Sequence, residues 1–200
     1  MSKQVEFLFD FGSPNAYLAS KAIPAIEQRT GATFKYVPVL LGGIFKATGN
    51  VSPAISEAGI RNKPEYGALE IQRFIKKHNL TKFKFNTHFP VNTLQIMRGA
   101  IAAEMDGVLP KYFEVVASAM WEQSLKMDEA DIIKSALDAG GIDGAHILSR
   151  IQDGEVKAKL IANTEDAVAR GAFGIPTFFV DGDIYFGKDR LRDVEEAITG

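Results

Sequence analysis

Strand-like sequence is confined to the two ends of this chain, and the long stretch between them has helical periodicity. Few folds accept that order. Residues 5–11, Val-Glu-Phe-Leu-Phe-Asp-Phe, are apolar on both alternations apart from Glu6 and Asp10, the pattern of a strand covered on two faces in the middle of an α/β sheet. Gly12-Ser13-Pro14 follows. Ser at an N-cap accepts a free backbone N–H and Pro at the first helical position has none to offer, so a helix is predicted from here to about Arg29, kinked near Pro24. After Gly31 a second short strand, ATFKYVPV, completes a βαβ unit, whose parallel strands imply a right-handed crossover.

From Leu41 the texture changes. LGGIFKATGNVSP is rich in Gly and turn formers, and helical periods then run over Tyr66 to His78, Thr93 to Met105, Tyr112 to Ser124, Ala130 to Asp138 and Glu155 to Arg170. The end reverts to strands, TFFV and DIYF, around Asp181-Gly182, a dipeptide suited to a two-residue hairpin because Gly takes positive φ at little cost. A last helix is expected over Asp189 to Ile198. There is no internal repeat and no low-complexity tract.

Composition narrows the function. The chain has 200 residues, 46% hydrophobic and 24% charged, enough for one compact unit or a domain with an insertion. Lys and Arg number 23 against 25 Asp and Glu, so no long-range pull toward nucleic acid or an anionic membrane is expected. No apolar run approaches the roughly 20 residues that span a bilayer. The N-terminus enters a strand without a charged region and apolar core of the secretory kind, which predicts a cytoplasmic protein. Cysteine is absent, which removes disulfides, thiolate ligands and any mechanism using the protein's own thiol; sulfur chemistry must come from a cofactor. His78, His88 and His146 are scattered without ligand spacing, so no metal site is expected. LGGIF and GNVSP lack the spacing of a phosphate-binding loop. Trp121 and the stretch Phe83, Phe85, Phe89 read as core and wall residues that could also line an aromatic pocket.

Three segments could carry chemistry. In FDFGSPNAYLA a buried strand delivers Ser13 to a helix N-terminus, where free N–H groups and the helix dipole favour an anion such as a thiolate; Ser13 can equally be only a cap. In GAFGIPTFFV, Pro176 stands between a glycine pair and a strand, as an ordinary strand-leading proline also would. In YFGKDRLRDVEEAI, Lys188 and Asp189 open the last helix, as a dock for a charged terminus or as an N-cap and a solvated face.

Together these segments, with FKATGNVSP and FPVNTLQIMR, resemble the thioredoxin-like proteins with a helical insertion that include the kappa-class glutathione transferases and the bacterial 2-hydroxychromene-2-carboxylate isomerases. The resemblance covers essentially the whole chain. It implies an α/β fold, a thioredoxin-like βαβ…ββα domain over residues 1–41 and 171–200 interrupted by an all-helical insertion over residues 42–170. It further implies glutathione as cofactor and a homodimer. Ser13-Pro14-Asn15-Ala16 takes the place of a CxxC motif, making Ser13 the expected catalytic partner of the glutathione sulfur. Pro176 becomes the expected cis-proline, with the Ile175 backbone pairing with the cysteinyl part in strand fashion. Asn50, otherwise a turn residue, becomes a side-chain contact to the tripeptide, and Lys188 and Asp189 the pair at its γ-glutamyl end. Lys46 and Asn92 lie in loops resembling the wall around a second substrate, where Lys46 would pair with a carboxylate and Asn92 hydrogen-bond it; a loop lysine and a helix-capping asparagine are the plain alternatives.

The activity implied is a glutathione-dependent isomerase of aromatic catabolism interconverting 2-hydroxychromene-2-carboxylate and trans-o-hydroxybenzylidenepyruvate by thiolate addition, bond rotation and elimination. A kappa-like transferase conjugating electrophiles shares the thiolate. A non-catalytic relic of a disulfide oxidoreductase would have neither glutathione affinity nor dependence on Ser13.

Overall fold

The structure is a computed structural model and describes residues 3–200. Strand β1 (Gln4–Phe9) leads through helix α1 (Pro14–Thr30) to β2 (Thr33–Pro38). Eight helices follow: α2 (Leu41–Thr48), α3 (Pro53–Ser56), α4 (Lys63–His78), α5 (Leu94–Met105), α6 (Leu109–Trp121), α7 (Ala130–Ala139), α8 (Gly144–Arg150) and α9 (Gly154–Ala169). The chain ends with β3 (Thr177–Val180), β4 (Asp183–Phe186), a 3-10 turn over Lys188–Arg190 and α10 (Leu191–Thr199). The four strands form one sheet in the order β2-β1-β3-β4. β1 runs parallel to β2 and antiparallel to β3, and β3 pairs antiparallel with β4. The architecture is the expected βαβ, helical insertion, ββα.

The Phe-rich ends make the centre of this sheet. Phe7 sits opposite Tyr36 on β2 and Phe178 on β3, with ring centroids 4.9 and 5.3 Å away, and Phe113 of α6 closes on Phe9 at 4.9 Å. Such pairs add to the burial of large apolar rings. One hydrophobic core runs on from these residues through Ile96, Ile101, Tyr112, Trp121 and Leu160 of the helical part. Asp181 and Gly182 both take positive φ between β3 and β4, the hairpin turn expected of them.

Three local readings are corrected. LGGIFKAT is helix α2 rather than turn. Its two glycines lower helix propensity, but a Cβ on Gly43 would stand 3.0 Å from Thr164 Cγ2 of α9, so glycine permits a close helix–helix approach that the burial of Ile44 completes. Helix α6 begins at Leu109 with Pro110 in its first turn, three residues before the period in the sequence suggested. Asp189 does not cap the last helix: it lies in the 3-10 turn, and α10 starts at Leu191 with no side-chain cap. Helix α1 is continuous through Pro24, an exposed residue whose missing N–H removes one bond of the helix ladder, to the Ser20 carbonyl. Among the described residues no helix is long and apolar enough to cross a membrane.

Candidate active site

Ser13 has extended backbone (φ −96°, ψ 112°) and caps α1, its Oγ accepting the Ala16 N–H at 3.2 Å. Although buried, the hydroxyl also donates to the Ile175 carbonyl oxygen at 3.0 Å. The Ile175-Pro176 peptide is cis, as expected; Phe89-Pro90 is cis as well. The first-helix N-terminus and the proline loop therefore meet at one bond between the two residues that the motifs singled out.

The same loop gathers the other expected contacts. Asn50 donates from Nδ2 to the Phe173 carbonyl at 2.8 Å, while its Oδ1 accepts from Val51 N at 2.8 Å. The Pro176 carbonyl accepts the Gly187 N–H at 2.9 Å, which brings Lys188 and Asp189 beside the proline. The Lys188 side chain is only 4% exposed, its Nζ lies 5.1 Å from the centre of the Phe74 ring, and it pairs with Asp189 Oδ1 at 2.5 Å. Asp189 keeps 65% of its side chain exposed, so this carboxylate, not the ammonium, is the group free to meet a ligand. Ser13, Asn50, Ile175, Pro176, Lys188 and Asp189 thus converge on the 173–176 loop. Next to Ser13, Asn15 Oδ1 is buried without a hydrogen-bond partner.

A family model described as a DSBA-like thioredoxin domain matches residues 4–199. The chain belongs to this DsbA-like thioredoxin family. It is 26% identical to 2-hydroxychromene-2-carboxylate isomerase of Pseudomonas putida over 97% of this chain and 93% of that protein. It is 31% identical to glutathione S-transferase kappa 1 of Rattus norvegicus over 94% of this chain and 87% of that one. A solved 2-hydroxychromene-2-carboxylate isomerase superposes with a TM-score of 0.83 at 26% identity, covering 98% of this chain and 94% of its own. These relatives of the DsbA-like chain are named as enzymes, an isomerase and a transferase.

Beside the Ser13 end of this DsbA-like sheet, a cleft of about 480 Å³ opens between α2, the start of α5 and α9. Lys46 lines it. Asn92 does not: its Oδ1 accepts from Leu94 N at 3.0 Å in a turn just ahead of α5, whose N-cap is Thr93 rather than Asn92.

Asp10 was visible in the sequence only as a polar break in an apolar strand, with no role assigned. It is fully buried, and its two oxygens accept from Gly12 N at 2.8 Å and Leu41 N at 2.7 Å. Burial pushes its titration up, which those two N–H groups and the Thr93 hydroxyl partly offset. Asp10 therefore ties the turn that presents Ser13 to the start of α2 and the residue before α5. Trp121 adds a second tie, Nε1 donating to the Phe11 carbonyl at 2.8 Å.

Proposed function

We propose that this protein is a glutathione-dependent isomerase that interconverts 2-hydroxychromene-2-carboxylate and trans-o-hydroxybenzylidenepyruvate. The observation that carries the reading is the Ser13 hydroxyl, held at the α1 N-terminus against the residue before cis-Pro176, in a chain with no cysteine. A serine so placed has the job of holding a sulfur that the protein itself lacks. The relatives named as isomerases support the choice of reaction.

Bound glutathione would supply the nucleophilic sulfur. A thiol of pKa near about 8.5 is mostly protonated at neutral pH, so the site must favour the anion. Two devices do so. The Ser13 hydroxyl turns from the Ile175 carbonyl to donate to the sulfur, and the free N–H groups and dipole of α1 stabilise negative charge at its start. The released Ile175 carbonyl and its N–H can then pair with an extended peptide. Asp189 accepts from the ammonium at the γ-glutamyl end, with Lys188 fixing its carboxylate, and Asn50 reaches the tripeptide from the far side of the loop. Lys46, which lines the cleft, would hold the carboxylate of the second substrate, while Asn92 lies outside that lining. The reading carries with it a cytoplasmic homodimer.

The test is calorimetry of glutathione on wild type and Ser13→Ala, with ultraviolet difference absorbance to count bound thiolate, followed by assay of the keto acid. Binding with Ser13-dependent thiolate, and turnover that leaves free thiol unchanged, is the expected result. The 31% identity to a kappa transferase favours a second reading, which predicts stoichiometric loss of free thiol instead. No glutathione binding by the wild type would sink both and leave the relic of a disulfide oxidoreductase.

A further inference from the structure

Asp10, directly after β1, turns its two carboxylate oxygens onto backbone donors of different segments: Oδ1 accepts the Gly12 N–H at 2.8 Å and Oδ2 the Leu41 N–H at 2.7 Å. From these two bonds a closed circuit of contacts runs around the site. On one side the Asp10 carbonyl accepts the Ser13 N–H at 3.0 Å, and the Ser13 hydroxyl reaches the Ile175 carbonyl. On the other, Leu41 opens α2, Asn50 N donates to the Phe45 carbonyl at the end of that helix, and Asn50 Nδ2 holds the Phe173 carbonyl. Phe173 and Ile175 belong to one loop, braced by Thr177 Oγ1 donating to the Gly174 carbonyl at 2.7 Å. Asp10 thus joins the serine arm of the circuit to the α2 arm.

Capping alone does not account for this carboxylate. Leu41 N is a free donor in the first turn of α2, and the N-cap residue Leu40 has no side-chain oxygen to meet it. A Ser or Asp at position 40 would satisfy such a donor locally, whereas a wholly buried carboxylate carries a desolvation cost that a local cap avoids. What a local cap cannot do is fix α2 to a residue 31 positions earlier in the chain. We infer that Asp10 is a positioning residue for the thiolate site: by gripping Gly12 and Leu41 together it holds the Ser13 hydroxyl and the Asn50 side chain in register on the 173–176 loop, so that both meet one bound glutathione. The inference rests on the reading above for its ligand, and on the circuit alone for the coupling. Position and charge act in opposite directions here. A carboxylate under the turn disfavours a nearby thiolate, so removing charge alone would make the bound thiol more acidic, while loosening the donor that meets the sulfur makes it less acidic. Position should win, because two N–H groups and the Thr93 hydroxyl already offset much of that charge, whereas the bond to the sulfur is lost outright when Ser13 shifts.

The experiment compares wild type, Asp10→Asn, Thr93→Val and Gly140→Ala. Asp10→Asn keeps the shape and gives up one acceptor, and Thr93→Val removes the hydroxyl from the same carboxylate. Gly140→Ala is the control for lost stability, since its Cβ would collide with Val115 between α6 and α7; thermal unfolding of each variant confirms its fold. Glutathione binding is read by calorimetry, and bound thiolate by ultraviolet difference absorbance across pH. Hydrogen exchange by mass spectrometry on the free protein follows residues 41–50 and 173–175. In Asp10→Asn the thiolate titration should move up by about one pH unit, glutathione should bind about tenfold more weakly, and both segments should exchange faster. Thr93→Val should do the same to a smaller extent, and Gly140→Ala should match wild type in all three readings. A thiolate titration that stays in place or moves down, or faster exchange confined to residues 41–50, overturns the inference. Thiolate lost in Ser13→Ala but kept in Asp10→Asn leaves the proposed reaction standing and removes the positioning role. A wild type that binds no glutathione sinks the proposed reaction, and exchange of residues 173–175 in Asp10→Asn then decides the circuit by itself.

Discussion

The Ser13 hydroxyl and the Ile175 carbonyl oxygen share a hydrogen bond of 3.0 Å that closes the α1 N-terminus against the cis-proline loop. In this state the donor that would meet a sulfur is already committed. A ligand sulfur must therefore compete for one proton, and a peptide pairing with Ile175 helps by taking the oxygen that loses it.

Ser13→Ala removes that donor and the helix cap together. It should unfold about 0.5–2 kcal/mol more easily, the usual cost of losing a Ser cap, yet remain folded. Bound glutathione should then stay protonated near neutral pH, with the keto-acid turnover lost. Ser13→Thr, which keeps hydroxyl and cap, separates the two effects. Thiolate absorbance in Ser13→Ala equal to wild type would remove Ser13 from the chemistry.

Asp10→Asn tests the buried carboxylate. Both Asp10 oxygens accept backbone N–H groups; an amide has one acceptor, so its NH₂ would face a donor, at a cost of about 1–3 kcal/mol. The pH dependence has a definite sign. Burial raises the folded titration above the ordinary value of 3.8, so between the two values the folded state holds more protons than the unfolded one, and stability rises as pH falls through the folded value and levels off below 3.8. Asn does not titrate. Chemical denaturation at several pH values should show the gap between wild type and Asp10→Asn widening on acidification; a gap that narrows contradicts the assignment.

How much of this was readable follows from how local each signal is. The Ser13-Pro14 helix start and the Asp181-Gly182 turn need only neighbouring residues, and both stand where the sequence put them. Asp10 was conspicuous as a polar residue in an apolar run, but its partners Leu41 and Thr93 come from distant segments, and nothing in the periodicity pairs them. Helix α2 was hidden because Gly42 and Gly43 weaken the local preference while the compensating contact with Thr164 is tertiary. The seven-residue α8, capped by Asp143 accepting from His146 N at 2.9 Å, is too short for its period to rise above the surrounding glycines. Lys46 was picked out singly; Arg98 and Lys157, on separate helices, join it along the cleft only once those helices are packed.

Gly99→Ala should be among the most damaging small changes. A Cβ there would lie 2.2 Å from Tyr112 Oη and 2.9 Å from its Cζ, and that fully buried tyrosine donates to the Ile96 carbonyl at 2.9 Å. The ring has no room to retreat, so overpacking and the lost bond should cost about 1–3 kcal/mol. Thermal unfolding reads it, and a variant as stable as wild type would show that α5 and α6 can separate cheaply.

Lys188 allows packing and charge to be separated at one position. Its side chain is almost wholly enclosed, the stem covering apolar surface near Phe74 while the ammonium meets Asp189. Lys188→Met keeps a stem of similar length and removes only the charge. Asp189 is largely exposed and does not need its partner for solvation, so stability should change by less than about 1 kcal/mol. Lys188→Ala leaves a void against Phe74 and should be clearly less stable. If the pair serves the γ-glutamyl end of glutathione, both variants bind it more weakly by a similar factor, because each frees the Asp189 carboxylate from its fixed position. A glutathione affinity that follows stability, lowered in Lys188→Ala and untouched in Lys188→Met, would make Lys188 a packing residue and leave Asp189 to act alone.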